Sequence, residues 1–201
     1  MLTNLHEFLR SRRSIRRFQP KDVDREKLSR ILTTATHAPS AHNRQPWRFA
    51  VVTQPQPKSR LSDLLSAEFR RDLTADGLPK TEIELRLQRS RNRIVDSPVV
   101  VILCMDLSEM DVYPDKKRSS AERVMAIQSV AAAGLQLQLA ARAEGLSSVW
   151  TCGPLFSPET VKAALDLPET WEPQAMFFIG EAAEEPKEKV LKPLDEVVKF
   201  L

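Results

Sequence analysis

Hydrophobic and polar residues follow two different periods along the chain, and these patterns predict helices alternating with strands. Apolar residues at helical spacing, together with start and stop signals, predict helices over 3–11, 24–38, 58–69, 79–95, 121–145 and 157–167. Runs of β-favouring residues predict strands over 47–53, 98–105, 147–152 and 174–182. The charged, proline-broken end of the chain is expected to be an extended arm with a short terminal helix. We therefore expect one α+β domain over residues 1–201, with helices around four or five strands.

Two of these segments are especially informative. The run PVVVILCM at 98–105 is apolar without interruption, which predicts a strand buried on both faces. The alanine-rich stretch 121–145 is apolar nearly all round, which predicts the central helix of the fold, ended by Gly145. Its glutamines favour a buried helix over a membrane span. The expected helix N-caps are Thr3 or Asn4, Asp24 and Ser157.

Composition narrows the possible functions. Apolar residues make up 42% of the chain, and 30 basic residues against 27 acidic ones leave a charge of only +3, too small for bulk binding to nucleic acid. Cys104 and Cys152 lack CxxC spacing and the histidines lack metal-ligand spacing, so we predict reduced thiols and no metal site. GxGxxG and Walker A patterns are absent, so a nucleotide cofactor would be bound without a glycine-rich loop. No signal-peptide pattern follows Met1, and a cytoplasmic protein without membrane attachment is expected.

The segment RRSIRRF follows the first predicted helix and concentrates positive charge. In an extended segment alternate side chains share a face, so Arg12, Ser14 and Arg16 are expected to converge. Two guanidinium groups and a hydroxyl suit a phosphate and the polar edge of a heterocycle. A solvated basic patch is the alternative interpretation.

A second polar segment, PSAHNRQPW, joins the second predicted helix to the first strand. Pro39 and Pro46 stiffen it, while Ser40, Asn43 and Gln45 offer donors and acceptors that suit a carbonyl–imide edge. The alternative interpretation is an ordinary helix end followed by a turn. The two motifs in combination are much more specific than either one alone.

In combination, these motifs resemble those of the FMN-dependent nitroreductase family. The resemblance covers essentially the whole chain, from RRSIRRF and APSAHNRQPWRF through the long central helix to SSVWTCG and LKPLDEVV. Three stretches, YPDKKRSSAERVM, GLSSVWTCGPLF and LDLPETWEP, are also similar to the flavin-binding reductase domain of the bifunctional protein that completes the deazaflavin coenzyme in actinobacteria. That domain would stand alone here, without the glutamyl-ligase half.

The resemblance implies an α+β sandwich with a central mixed sheet, forming an intertwined homodimer with FMN at its interface. The family's segment for the flavin phosphate and ribityl chain corresponds to Arg12, Arg13, Ser14, Ile15 and Arg16. The loop that meets the partner subunit's flavin corresponds to Pro39, Ser40, Asn43 and Gln45. The segment beside the flavin ring corresponds to Trp150, Thr151, Cys152 and Gly153, and the basic tail that completes the phosphate site offers Lys189 and Lys192.

The implied activity is an FMN-dependent oxidoreductase, in which NAD(P)H reduces the flavin and a nitroaromatic, quinone or related acceptor reoxidises it with ping-pong kinetics. The flavin carries the chemistry, so no catalytic side chain is predicted. One alternative is a biosynthetic reductase of a deazaflavin-type or other anionic precursor, bound by Arg70, Arg71 and Arg89. These arginines could equally form a solvated helix face. The other alternative is a flavin-binding protein without turnover.

Overall fold

Four antiparallel strands form the sheet at the centre of the fold. The computed structural model describes residues 4–201, and its strands are β1 (Trp47–Val52), β2 (Val99–Asp106), β3 (Ser147–Thr151) and β4 (Trp171–Gly180). They lie in the order β1-β2-β4-β3, which leaves β3 at one edge. All three ladders are antiparallel, so the expected mixed sheet is wrong for these strands. The apolar pattern that located the strands carries no information about their direction, which depends on the connections between them.

Helices connect and cover the strands. α3 extends beyond its predicted range at both ends, because prolines are tolerated in its first turn and the charged residues after position 69 continue the helix. α5 likewise begins before its predicted start, in a polar turn that has no apolar periodicity. Two single 3₁₀ turns, Ala41–Asn43 and Gly153–Leu155, follow α2 and β3. The α-helices within residues 4–201 are α1 (Leu5–Ser11), α2 (Arg25–Ala35), α3 (Pro55–Ala75), α4 (Lys80–Val95), α5 (Lys116–Ala143), α6 (Pro158–Leu165) and α7 (Leu194–Val197).

The predicted helix ends can be compared directly with the structure. The side chains of Asn4 and Asp24 each accept a hydrogen bond from a main-chain N–H of the first turn, so both N-caps are confirmed. Thr3 lies outside the described residues. Ser157 occupies the N-cap position of α6, but its side chain makes no capping hydrogen bond. Gly145 follows α5 with φ of +77°, the left-handed conformation that glycine adopts without strain.

Different helices cover the two faces of the sheet. α2 and α5 pack on one face, against residues that include Val99 and Val101. α3, α4 and α6 pack on the other, against residues that include Val100 and Ile102. All eight residues of β2 are buried, which confirms a strand covered on both sides and explains why its sequence does not alternate.

α5 is the predicted central helix. Its length and composition alone would allow it to span a membrane, yet half of its apolar stretch is buried inside the fold. Ala126, Val130, Ala133 and Leu137 lie in the core between α5, α2 and the sheet. α5 therefore serves as a core helix, as predicted.

A buried lysine fastens α3 to the turn that precedes β2. The Lys58 ammonium donates to the carbonyl oxygens of Ser97 at 2.6 Å and Pro98 at 2.8 Å. Lys58 is only 6% exposed, and burial lowers the pKa of its ammonium group. These contacts fix the position of α3 relative to the end of α4, where the candidate site begins.

Candidate functional site

The arginine-rich segment that follows α1 runs along the outer edge of β3. Ser14 pairs with Ser148 in an isolated parallel bridge, and the Ile15 N–H donates to the Ser148 carbonyl at 3.1 Å. Further along, Phe18 pairs with Ala182, just after β4. The fold thus brings two of the predicted flavin-binding segments to the same sheet edge, although they are far apart in sequence.

A large cavity, here called the arginine cavity, lies between this segment, the end of α4 and the residues after β4. Its volume is about 1080 Å³. Ser14 and Asn92 contribute neutral polar groups, and Asp96 and Glu184 contribute carboxylates. The cations that line it are Arg16, Arg17, Arg89, Arg93 and Lys187.

The cations of the arginine cavity are not neutralised within the described chain. Among residues 4–201, none of the five forms an ion pair with a carboxylate, and Glu184 instead accepts a hydrogen bond from the Arg16 main-chain N–H at 2.8 Å. Burial lowers the pKa of Arg93, and the positive charge of Arg16 lowers it further. Five cations against two carboxylates leave the arginine cavity with an excess of positive charge, which is typical of a site for an anionic ligand.

A second cavity, here called the apolar cavity, adjoins the first. Its volume is about 470 Å³. α3 contributes Leu65, Phe69 and Leu73 to its wall, and β4 contributes Met176 and Phe178. This lining suits a flat, largely apolar molecule.

Polar groups reach the apolar cavity from three sides. Asp72 and Asp76 lie near the end of α3, and Thr151 and Gly153 lie at the end of β3. Arg93 lines both the apolar cavity and the arginine cavity. The two cavities therefore meet at a guanidinium group.

Trp150 and Thr151 point to opposite faces of the sheet, as successive residues of a strand must. The Trp150 ring packs against Phe177 with a centroid separation of 4.9 Å, on the face covered by α5. Thr151 lines the apolar cavity, and its hydroxyl donates to the Met176 carbonyl at 3.0 Å. Cys152 is exposed beside it. Thr151 and Gly153 are thus placed to contact a ligand, whereas Trp150 forms part of the core.

The arginines of RRSIRRF separate into two groups. Of the three residues expected to converge, Ser14 and Arg16 line the arginine cavity, and Arg12 does not. Arg12, Arg13 and Ile15 line a third cavity of about 630 Å³ on the other side of the segment. Arg12 is the C-cap of α1 and has an extended backbone with φ of −61° and ψ of 130°, yet it lines a different cavity from Ser14 and Arg16, so the expected convergence of all three is wrong.

The loop PSAHNRQPW holds a strained backbone. His42, Asn43 and Gln45 have φ values of 50°, 54° and 50°, although none is glycine. Each left-handed residue of this kind costs about 1 kcal/mol or more, and such strain is concentrated at functional sites. The Ser40 hydroxyl stabilises the loop internally by accepting from the Gln45 N–H at 3.1 Å.

The same loop is anchored to the middle of α5 and to the segment that precedes this helix. The Ala41 N–H donates to the Ser129 hydroxyl at 3.1 Å, and Arg44 pairs with Asp111 at 2.5 Å. None of Pro39, Ser40, Asn43 and Gln45 lines any of the three cavities described above. Within one chain, the fold does not bring this loop to the edge of β3.

Comparison with known proteins identifies the family. A model of the nitroreductase family matches residues 9–181. The chain belongs to the nitroreductase family. It is 31% identical over 182 residues to a 5,6-dimethylbenzimidazole synthase of Rhodospirillum rubrum, covering 87% of this chain and 80% of that protein. It is 30% identical over 211 residues to an NADH dehydrogenase of Thermus thermophilus, covering 93% and 91%.

The fold agrees with this assignment. The structure superposes with a TM-score of 0.77 on a candidate nitroreductase from Exiguobacterium sibiricum that was solved in complex with FMN. The two sequences are 21% identical, and the superposition covers 100% of this chain and 99% of that one. The family and its named relatives establish an oxidoreductase with the nitroreductase-like α+β fold.

Three of the five cations that line the arginine cavity of this nitroreductase-family chain were not among the predicted site residues: Arg17, Arg93 and Lys187. Arg93 follows Arg89 by four residues, so helical spacing alone would place both on one face of α4. Lys187 lines the cavity, whereas the predicted Lys189 and Lys192 are exposed and line none of the cavities.

The predicted substrate arginines also differ from one another. Arg89 lines the arginine cavity. Arg70 makes a bidentate pair with Glu84 and lies outside the three cavities, as does the exposed Arg71. The arginine-rich stretch is thus partly a solvated face and partly a wall of the site.

Proposed function

We propose that the protein is an FMN-dependent oxidoreductase that passes electrons from NAD(P)H to a quinone, nitroaromatic or related conjugated acceptor. The observation that carries this proposal is that the apolar cavity and the arginine cavity share Arg93 as a lining residue. FMN combines a flat, largely apolar ring system with a doubly charged phosphate. An apolar cavity beside a cavity rich in unpaired cations matches that chemistry.

The residues present fit FMN without a glycine-rich loop. Arg16, Arg89 and Lys187, with the Ser14 hydroxyl, would hold the phosphate and the pyrimidine edge of the ring, which becomes anionic on reduction. Thr151 and Gly153 would lie beside the ring, close to the end of β3. Bound FMN supplies hydride transfer, and the protein binds the cofactor, orients it and adjusts its electrostatic environment.

We further propose that Arg12 and Arg13 complete the flavin site from the opposite side of the segment, and that Lys189 and Lys192 do so from the tail. Arg12 and Arg13 immediately precede Ser14 in the chain, and Lys189 and Lys192 closely follow Lys187; Ser14 and Lys187 both line the arginine cavity. The tail after residue 186 is exposed and extended, so its lysines can approach a bound phosphate. Lys187 is the tail cation that already reaches the cavity.

We propose that the working unit is a cytoplasmic homodimer. Val124, Ile127 and Leu135 are 48%, 40% and 49% exposed on α5, an uncommon arrangement for a core helix. The tail also exposes Val190 and Phe200. A second subunit would cover these surfaces, and its strained loop with Ser40, Asn43 and Gln45 could then reach the flavin of the first. Sedimentation of the FMN-loaded protein tests this, because a monomer that retains FMN would refute a shared site.

Variants of the segment test the FMN site. A charge-assisted hydrogen bond contributes about 1.5–3 kcal/mol, so Arg16→Ala should weaken FMN binding by about 10- to 150-fold. Ser14→Ala should weaken it by about 2- to 12-fold, as expected for about 0.5–1.5 kcal/mol. Arg70→Ala is the matched control, since Arg70 is exposed and pairs with Glu84 outside the cavities. Full flavin occupancy in both site variants after dialysis would contradict the assignment.

One alternative function has specific support. The relative from Rhodospirillum rubrum is named for a biosynthetic reaction, and the arginine cavity could also contact an anionic substrate. A biosynthetic reductase of a deazaflavin-type or other anionic precursor would bind that precursor through Arg89. Loss of its reduction in Arg89→Ala at saturating FMN, with quinone reduction retained under the same conditions, would favour this alternative. A flavin-binding protein without turnover would instead keep its flavin oxidised when NADH or NADPH is added.

A further inference from the structure

Glu122 is a buried carboxylate that the proposed flavin site does not use. It lies in the second turn of α5, is only 3% exposed, and accepts a hydrogen bond through Oε1 from the Asp111 main-chain N–H at 3.2 Å. Its other oxygen, Oε2, is also buried and accepts no hydrogen bond from any group within residues 4–201. A buried carboxylate with one oxygen unused is unfavourable for folding. Packing alone would favour an apolar residue here, so the contact with Asp111 needs another explanation.

Asp111 connects Glu122 to the strained loop PSAHNRQPW. It lies in the segment between β2 and α5, and its carboxylate pairs with Arg44 of the loop at 2.5 Å. Glu122 therefore holds the main chain of Asp111, while the side chain of Asp111 holds the loop. A single residue separates the buried carboxylate from the loop.

A second anchor of this loop lies on the same face of α5. Ser129 follows Glu122 by seven residues, which is close to two helical turns, so the two side chains share a face of the helix. The Ser129 hydroxyl accepts a hydrogen bond from the Ala41 N–H at 3.1 Å. Both anchors of the loop thus start from one surface of α5.

The two anchors lie on either side of the strained backbone. Ala41 and Arg44 are the anchored positions, and His42 and Asn43 between them have φ values of 50° and 54°. A left-handed backbone at residues other than glycine persists only where the surrounding structure holds it. Release of either anchor would allow both residues to relax, and the Asn43 side chain would then change direction.

We propose that Glu122 is a positioning residue for the flavin of the partner subunit. Acting through Asp111 and Arg44, it holds the strained loop in the conformation that presents the polar side chains of this loop to that flavin. Glu122 lines none of the three cavities. Its effect is therefore indirect, because it reduces the conformational freedom that the loop loses when FMN binds. This inference rests on the FMN-binding homodimer proposed above.

Two measurements on the full-length protein separate positioning from a role in folding: FMN affinity by titration, and the melting temperature without FMN. Glu122→Met removes both oxygens at similar size. Each left-handed residue that relaxes must be strained again on binding, so this variant should weaken FMN binding by about fivefold or more. Its melting temperature should rise or stay within about 2–4 °C of the parent's, because the unfavourable buried oxygen is lost together with the hydrogen bond.

Glu122→Gln tests whether the hydrogen bond to Asp111 carries the effect. Its amide oxygen can still accept from the Asp111 N–H, so most of the affinity lost in Glu122→Met should be restored. Arg44→Ala breaks the same connection at its other end, and combining it with Glu122→Met should weaken FMN binding no more than either change alone. Glu144→Met is the matched control, since Glu144 is the C-cap of α5 and pairs with Arg30 of α2 rather than with the loop. It should bind FMN as the parent does.

A mixed dimer shows which flavin the loop serves. One subunit would carry Glu122→Met, and the other would carry Arg16→Ala, which removes a flavin contact proposed above. If each loop serves the partner subunit, the flavin site with an intact Arg16 also receives an intact loop. We therefore expect the mixed dimer to retain one site of parental FMN affinity.

The outcomes distinguish this inference from the function on which it rests. A protein that never binds FMN would overturn the proposed function. A parent protein that binds FMN, with a Glu122→Met variant that binds it equally well, would overturn the role of Glu122 alone. The same conclusion would follow if Glu122→Gln restored none of the lost affinity, or if the mixed dimer had no site of parental affinity.

Discussion

Gly134 lies where α5 packs against aromatic rings of β3 and β4, and replacing it tests how the sheet edge is held. A Cβ atom at Gly134 would lie 2.8 Å from Cζ3 of Trp150 and 3.0 Å from Cζ of Phe177. Ordinary carbon–carbon contacts are about 3.5–4.0 Å, so the two rings would have to move by at least about 0.5 Å. Phe177 is fully buried, which leaves little room for that movement.

The expected magnitude follows from two opposing contributions. Overpacking of a core costs about 1–3 kcal/mol, and replacing glycine by alanine within a helix recovers about 1 kcal/mol. Gly134→Ala should therefore lower the free energy of unfolding by about 1 kcal/mol. In a Trp150→Phe background the contact with the indole is removed and the contact with Phe177 remains, so the same change should cost less than it does in the parent protein.

Urea unfolding of the four proteins, followed by circular dichroism, measures this coupling as a double-mutant cycle. The FMN concentration must be the same throughout, because a ligand that binds only the native state adds to apparent stability. We expect a coupling energy of about 0.5–1 kcal/mol. Additive effects, or a stabilising Gly134→Ala in the parent protein, would refute the proposed packing of β3 against α5.

Three further predictions concern stability. Lys58→Met should lower the free energy of unfolding by about 2–4 kcal/mol, because two main-chain carbonyls lose their donor. Burial lowers the pKa of Lys58, so its charged form is less favourable in the folded state than in the unfolded state. The parent should therefore gain stability relative to the variant as pH rises toward 10.5. Burial raises the pKa of Asp106, but hydrogen bonds from Ser108 and the charge of Arg48 outweigh burial, so the pKa is lowered overall. As pH falls below the ordinary aspartate pKa, the parent protein should therefore lose stability relative to Asp106→Asn in an acid titration. Gly145→Ala should lower the melting temperature by about 2–4 °C, as expected for about 1 kcal/mol of left-handed strain.

Much of the fold could be predicted because its elements are encoded locally. The run over β2 and the alanine-rich stretch of α5 specify a buried strand and a buried helix by their own composition, and the structure confirms both. Strand direction could not be predicted in this way, since it depends on how separate segments pair. The antiparallel sheet is a property of the packed chain.

The site was only partly predictable for a similar reason. Ser14 and Arg16 could be grouped from their spacing, and the structure places them in one cavity. Arg93 reaches the same cavity only because α4 ends beside a segment about 77 residues earlier in the chain, a contact that no local pattern records. The strain at His42 and Asn43 is equally invisible in sequence, because neither residue type demands a left-handed backbone.

The central claim is that this nitroreductase-family chain uses bound FMN to accept electrons from NAD(P)H. The most direct measurement is the visible absorption spectrum of the purified protein under anaerobic conditions, before and after addition of NADH or NADPH, and again after addition of a quinone. We expect the visible absorbance of the flavin to be bleached by at least one of the two nucleotides and restored by the quinone. A protein that binds no flavin when FMN is supplied, or whose flavin stays oxidised with both nucleotides, would contradict it.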